Sequence, residues 1–170
     1  MHPLDKLDIR ILSALQADGS LTQAQLAEIT NSTPSTCLRR VHRLKQAGYL
    51  TRCVYLTDPK MLERGVKAFI TVVTKDQGRH DFMAFIERIA QEPSINMAYG
   101  TTGDVDAIVS GNFTSLEEYR EVCERLFDTD PFVERYTTLF AVQALKEKTA
   151  IATDELERRI VVKKNLKRRK

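Results

Sequence analysis

The sequence predicts an α+β protein, with a small all-helical head followed by a larger part in which strands and helices alternate. Three observations lead there. Apolar residues recur at spacings of three and four through the first fifty positions. From about residue 54 the pattern changes to β-branched and alternating stretches interleaved with helical ones. The charge changes sign at the same places: residues 1–53 carry +3, residues 54–153 carry −5 and residues 154–170 carry +5, within a total of +3 over 170 residues. A basic head and a basic end around an acidic middle suit a polyanion touched by the two ends. The boundaries are drawn as domains 1–53 and 54–150 and a basic segment 151–170. Apolar content of 42% with 7 Gly and 5 Pro argues against disorder. No apolar run approaches the ~18 residues of a membrane span, and the opening MHPLDKLDIRIL, with two acids inside its first hydrophobic stretch, is not a signal peptide. Cys37, Cys53 and Cys123 lack CxxC spacing and read as reduced thiols in a cytoplasmic protein.

Leu4, Leu7, Ile11, Ala14 and Leu15 make one face of a first helix, which has Asp5 and Asp8 in its first turn and stops at Asp18-Gly19. Thr22 with Gln25 three positions on is the capping-box signature of a second, short helix. Asn31 follows where the chain must turn sharply. Thr33 as N-cap and Pro34 at the first helical position open a third helix that ends at Gly48. Cys37, Leu38, Val41 and Leu44 are its expected buried stripe.

Between Pro34 and Ala47 stand three Arg and one Lys with no acid. Helical projection puts Ser35, Thr36, Arg39, Arg40 and Arg43 opposite the apolar stripe, with His42 at the margin. A solvated surface helix would explain the charge alone. The short preceding helix, the turn of about four residues and the leading hydroxyls favour a helix-turn-helix recognition element instead. Ser and Thr pair with several bases, and Arg grips guanine or phosphate. Thr33, Ser35, Thr36, Arg39, Arg40 and Arg43 are therefore the candidate contacts to double-stranded DNA.

In the second part, Tyr49–Thr57 reads as a strand broken by Asp58-Pro59. Val66–Thr74 is a strand. Asp81–Ala90 is a helix with Phe82, Phe85, Ile86 and Ile89 at helical spacing. Ile95–Thr102 and Val105–Asn112 flank Gly103-Asp104, a two-residue hairpin turn signal. Thr114 with Glu117 caps another helix, lined inside by Leu116, Tyr119, Val122, Cys123 and Leu126, and Phe132–Ala144 closes the set. This β-α-β-β-α-β order is the ferredoxin-like arrangement.

Three stretches together, LDKLDIRILSALQADG, TPSTCLRRVHRLKQAGYL and AYGTTGDVDAIV, resemble the Lrp/AsnC family of transcription regulators from about Leu4 to about Ala150. The resemblance implies that the ferredoxin-like part senses effectors and oligomerises, forming dimers through the sheets that associate further, often to octamers. It further implies an amino-acid effector held between dimers near Thr101, Thr102, Gly103, Asp104, Val105 and Asp106, with Glu134 from the last strand. The chemistry is suitable. A carboxylate such as Asp104 or Asp106 accepts an ammonium, the N–H groups of a Gly-containing turn take a carboxylate, and Thr101 and Thr102 complete a polar frame. Gly103-Asp104 equally serves the hairpin itself. Val105 stands where the family pattern has an aromatic residue, which implies a smaller or differently shaped pocket.

The expected function is sequence-specific regulation of transcription in the cytoplasm, at the nucleoid, with DNA binding or assembly answering to a small metabolite. The alternative is a ligand-independent architectural DNA-binding protein of the same fold. No catalytic site, metal or cofactor is expected: His2, His42 and His80 stand in separate segments, without ligand spacing or a nucleophile elbow. A haem-precursor decarboxylase group also resembles this family, but it calls for His residues in the second domain, where only His80 occurs. The segment after Thr153 lies beyond the family pattern. It reads either as a solubilising tail or as a nonspecific DNA tether.

Overall fold

The computed structural model of the chain describes residues 4–75, 79–153, 155, 156 and 158, and of residues 79–81 the backbone. His2, the His80 side chain and most of the basic segment after Thr153 lie outside the described residues. Two compact units are present, one of residues 1–55 with 146–170 and one of residues 56–145. The described residues from Lys146 onward thus group with the helical head, although the sequence pattern as far as Ala150 continues that of the sheet domain.

In the head, α1 spans Lys6–Ala17, α2 spans Gln23–Thr30 and α3 spans Pro34–Gln46. Their ends follow the sequence signals. Thr22 and Gln25 form the capping box of α2, and Asn31 leaves it in the left-handed region at φ 50°. Thr33 caps α3, and Gly48 follows it at φ 78°, a conformation that glycine adopts without strain. Ile11, Leu12, Leu26, Ala27, Cys37 and Leu44 form the core between the three helices. Leu38, expected in that core, is instead 58% exposed. Helical geometry explains the difference: Leu38 projects about 100° from Cys37, whereas Arg40 lies only about 60° away on the other side. The arginine, rather than the leucine, borders the packed face.

That side of α3 meets the start of α1. Asp5 and Asp8 form a reciprocal capping box, each carboxylate accepting the other's backbone N–H at 2.9 Å. Arg40 Nη1 donates to Asp5 at 2.6 Å and to Asp8 at 3.1 Å, and Arg43 Nη2 donates to both oxygens of Asp8 at 2.6 and 2.5 Å. The Asp8 side chain is wholly buried, while those of Arg40 and Arg43 are 21% and 32% exposed. Burial opposes ionisation of Asp5, but the Asp8 N–H and the Arg40 guanidinium outweigh it and hold the carboxyl below its ordinary range.

The second unit is a four-stranded antiparallel sheet in the order β2-β3-β1-β4, built from β1 Val66–Thr74, β2 Ile95–Gly100, β3 Ala107–Phe113 and β4 Val133–Phe140. Helices α4 (Arg79–Gln91) and α5 (Leu116–Cys123), the latter extended by a π-helical turn over Glu124–Asp128, cover one face. Ala68, Ile70 and Val72 of β1 meet Phe85, Ile89, Val122 and Phe127 there. This is the expected α+β, ferredoxin-like connectivity.

Three local features differ from the sequence expectation. Residues 50–58 form no strand; no ladder partner exists for them among the described residues, and Tyr55 is 91% exposed. A β-rich composition without a neighbouring edge leaves the backbone unpaired. Next, the connection between β2 and β3 is a six-residue loop, 101–106, rather than a two-residue turn, because the ladder ends at the Gly100–Ala107 pair. Finally, Ser115 rather than Thr114 caps α5, accepting the Glu118 N–H at 3.1 Å.

Glu118 knots this unit together. Its carboxylate accepts the Thr114 N–H at 2.7 Å, the Thr114 hydroxyl at 2.6 Å, the Ser94 hydroxyl at 2.8 Å and Arg64 Nη1 at 3.1 Å. Burial raises its pKa, but the Thr114, Ser94 and Arg64 contacts prevail and bring it down to about 2. Since the group titrates lower folded than unfolded, its stabilisation is complete above the ordinary value of 4.5 and is lost as the pH falls toward about 2. Glu118→Gln is expected to lower stability at pH 7 by about 2 kcal/mol and to flatten the acid limb of stability against pH, measured by urea unfolding. In the head, Asp8→Ala strands Arg43 and leaves Arg40 only Asp5, and is expected to cost roughly 3 kcal/mol in the same assay.

Candidate nucleic-acid interface and effector loop

Helix α3 presents two charged faces with different fates. Arg40 and Arg43, which projection assigns to the outer face with Arg39, turn instead to α1 and are held by Asp5 and Asp8. The outward face consists of Ser35, Leu38, Arg39 and His42, all exposed and spaced i, i+3, i+4, i+7. Arg39 makes no hydrogen bond or ion pair among the described residues. Thr33 and Thr36 begin the same helix, but their hydroxyls are engaged with each other at 2.9 Å, and Thr33 Oγ1 accepts the Thr36 N–H at 3.3 Å. Of the six candidate DNA contacts, therefore, Arg39 stands free at the surface, Ser35 is exposed with its hydroxyl 3.3 Å from Thr33 Oγ1, Thr33 and Thr36 shape the helix start, and Arg40 and Arg43 brace the helix from behind. Leu38 and His42 join the outward face. Their signal was the wheel itself, on which both lie farther from Cys37 than Arg40 does.

Loop 101–106 has a rigid base and an open tip. The Thr101 N–H donates to the Asp106 carbonyl at 2.9 Å, and the Thr101 hydroxyl donates to the Val105 carbonyl at 2.5 Å. Asp106 is tied to β1: its N–H donates to the Val72 carbonyl at 2.9 Å, and its carboxylate accepts the Thr74 N–H at 2.7 Å and the Thr74 hydroxyl at 2.9 Å. These Thr74 bonds, the backbone one foremost, hold the Asp106 carboxyl below its ordinary range. Asp106 is thus a structural acid rather than a free one. Thr102, Gly103 and Asp104 are exposed at the tip, with Gly103 at φ 108°, and Val105 is half-buried. The N–H groups of residues 102–105 make no hydrogen bond among the described residues. Glu134 is exposed on β4, 3.7 Å from Arg135. It stands at the same end of the sheet as the loop, since Thr74 pairs with Val133 and Val72 with Ala107.

An apolar cleft of about 360 Å³ runs between α4 and the β2 edge, lined by Phe82, Ile86, Ile89, Asn96 and Ala98, and reaches Gly100 and Ala107 at the two feet of the loop. Among the described residues no cluster of three or more His, Cys, Asp or Glu side chains could hold a metal ion, and no helix is long and apolar enough to cross a membrane.

Comparison with known proteins accords with this geometry. Residues 4–51 match the winged helix-turn-helix DNA-binding family and residues 67–151 match the Lrp/AsnC ligand binding domain. An HTH-type transcriptional regulator of Haemophilus influenzae is 30% identical over 151 residues, which cover 89% of this chain and 90% of that one. The DNA-binding transcriptional activator DecR of Escherichia coli is 28% identical over 148 residues, covering 87% and 97%. The crystal structure of a transcriptional regulator from Neisseria meningitidis in complex with L-Met superposes with a TM-score of 0.86 at 27% identity, covering 90% of this chain and 99% of that one. The chain is a DNA-binding transcription regulator with a ligand-binding domain, and it belongs to the Lrp/AsnC family.

Proposed function

We propose that this regulator reads duplex DNA with the outward face of α3 and answers to a free amino acid held by loop 101–106. The observation that carries the first half is the exposed, acid-free row Ser35, Leu38, Arg39 and His42 on the third helix of the head. Ser35 and Arg39 offer hydrogen bonds to base edges, Leu38 offers apolar contact to a thymine methyl, and His42 extends the row by one turn. Thr33 and Thr36 set the helix start, where N–H groups suit a phosphate. Arg40 and Arg43 act through the positioning of the helix.

The second half rests on complementary chemistry around one loop. Asp104 provides an exposed carboxylate for an ammonium, the N–H groups of residues 102–105 suit a carboxylate, and the apolar cleft beside Gly100 suits a side chain. Thr102 and Gly103 complete the tip, Thr101 and Asp106 fix its base, Val105 leaves room beside it, and Glu134 adds a second acid at that end of the sheet. The Neisseria relative's L-Met is a ligand of this class.

The sheet face turned away from the helices carries Phe69, Met97, Tyr99, Ile108 and Leu139, with Ser110 Oγ buried and unbonded. We read it as the homodimer face, with dimers assembling further toward an octamer so that pairs of heads meet pseudo-palindromic sites. The protein is then a cytoplasmic, nucleoid-acting regulator rather than an enzyme, and ligand works by favouring one assembly state over another.

Two measurements test this. Arg39→Ala is expected to weaken operator binding about 5- to 150-fold at fixed salt, equivalent to about 1–3 kcal/mol, with unfolding unchanged; undiminished operator affinity would remove the assigned face. A thermal-shift panel of the twenty amino acids is expected to raise the melting temperature for a subset, and Asp104→Asn to abolish that rise. No shift with any of them would favour the ligand-independent architectural reading.

A further inference from the structure

Leu38 takes no part in the packing of the head. Among the described residues, the large apolar side chains of α1, α2 and α3 are buried or half-buried with two exceptions, Ile29 of α2 and Leu38, the latter 58% exposed. Cys37 and Leu44 fill the inward stripe of α3, with Val41 packed against it. Leu38 lies instead in the outward row, with Ser35 one turn before it, His42 one turn after it and Arg39 beside it, all exposed. It is the one aliphatic side chain in a row whose other members are polar.

We propose that Leu38 makes α3 a reader of the pyrimidine C5-methyl group, in thymine or in 5-methylcytosine, beside a guanine held by Arg39. The proposal rests on the reading of duplex DNA by α3 given above and specifies which base chemistry that face selects. The major-groove edge of a duplex is otherwise polar: N7, O6, O4 and the exocyclic amines all take hydrogen-bond partners, and the C5 methyl is the one apolar group offered there. An isobutyl group set against a donor or acceptor desolvates it without return. Set against a methyl, it removes apolar surface from water on both sides. The spacing suits neighbouring bases, since consecutive Cα atoms are ~3.8 Å apart and stacked base pairs ~3.4 Å apart. Leu38 and Arg39 can therefore address adjacent base pairs. Arg39 takes guanine O6 and N7 together, and from Pro34 to Ala47 no acid of the helix competes for it. Cytosine lacks the methyl, whereas 5-methylcytosine carries it on the same ring atom as thymine. Methylation of a cytosine beside that guanine thus creates the group that Leu38 selects.

The test uses the full chain and the duplex of about 25 bp, room for two half-sites a turn apart, that it selects most tightly from a random pool. Each thymine is replaced in turn by deoxyuridine, which removes the C5 methyl and nothing else. At a thymine next to a guanine in each half-site, the replacement is expected to weaken binding about fourfold, the worth of one buried methyl-sized group. A 5-methylcytosine–guanine pair placed there is expected to bind about fourfold more tightly than its unmethylated form. Leu38→Ala, an exposed change expected to leave unfolding unaltered, is expected to erase both differences. If no thymine responds while Arg39→Ala still weakens binding, the methyl reading is overturned and recognition by α3 stands; if Arg39→Ala is without effect as well, that recognition falls too. A deoxyuridine penalty of equal size in Leu38→Ala overturns the assignment to Leu38. Equal weakening of the thymine and deoxyuridine duplexes by Leu38→Ala overturns it in favour of a contact to protein, read independently as a change in oligomeric state. Equal binding of the cytosine and 5-methylcytosine forms overturns the extension to methylated DNA.

Discussion

The head depends on one buried charge. Asp8 lies within the first turn of α1, wholly removed from water, and meets two guanidinium groups projecting from α3. A lone buried carboxylate is prohibitively costly, so it persists only where cations and N–H groups satisfy it from several sides. That requirement sets the relation between the two helices: α3 must offer Arg40 and Arg43 where the Asp5–Asp8 capping box already stands. The outward face follows, because with Cys37, Val41 and Leu44 turned inward and the two arginines turned to α1, the remaining arc is Ser35, Leu38, Arg39 and His42. A cap that begins one helix is also the device that orients another.

The sheet unit divides its labour in a similar way. The Glu118 knot joins the approach to β1, through Arg64, to the start of β2 and the cap of α5, and a single apolar core lies beneath the two helices. On this frame loop 101–106 is rooted by Thr101 and Asp106 and left open at residues 102–104. Polar groups with no internal partner thus collect at one end of an apolar cleft, a combination that small-molecule sites use.

Much of this was readable in the sequence because it depends on local chemistry. Thr22 with Gln25, Asn31, Thr33 with Pro34 and Gly48 mark helix ends by hydrogen bonds within a few residues, and the ends fall where they indicate. The order of strands and helices followed from periodicity. What local chemistry could not disclose are the pairings across long separations. The partners of Arg40 and Arg43 lie more than thirty residues upstream, and Thr74 claims Asp106 from 32 positions away. Both were hidden because a charged residue in a linear pattern looks the same whether it faces water or a buried counter-ion. The two-residue hairpin failed for a related reason: Gly103-Asp104 signals a tight turn, but the Asp106 tie to β1 ends the ladder early and enlarges the loop.

The Asp106–Thr74 bonds also govern how a loop of this kind can move. Its foot is welded to the end of β1 through two side-chain bonds and one backbone bond, so it does not swing as a flap. Deformation is confined to the few residues between the anchored ends, where Gly103 already occupies a backbone conformation open to rearrangement. A loop with a stiff root and a free crest can reshape only at that crest, and any larger displacement would be passed through the Asp106 bonds into β1, the strand flanked by β3 and β4.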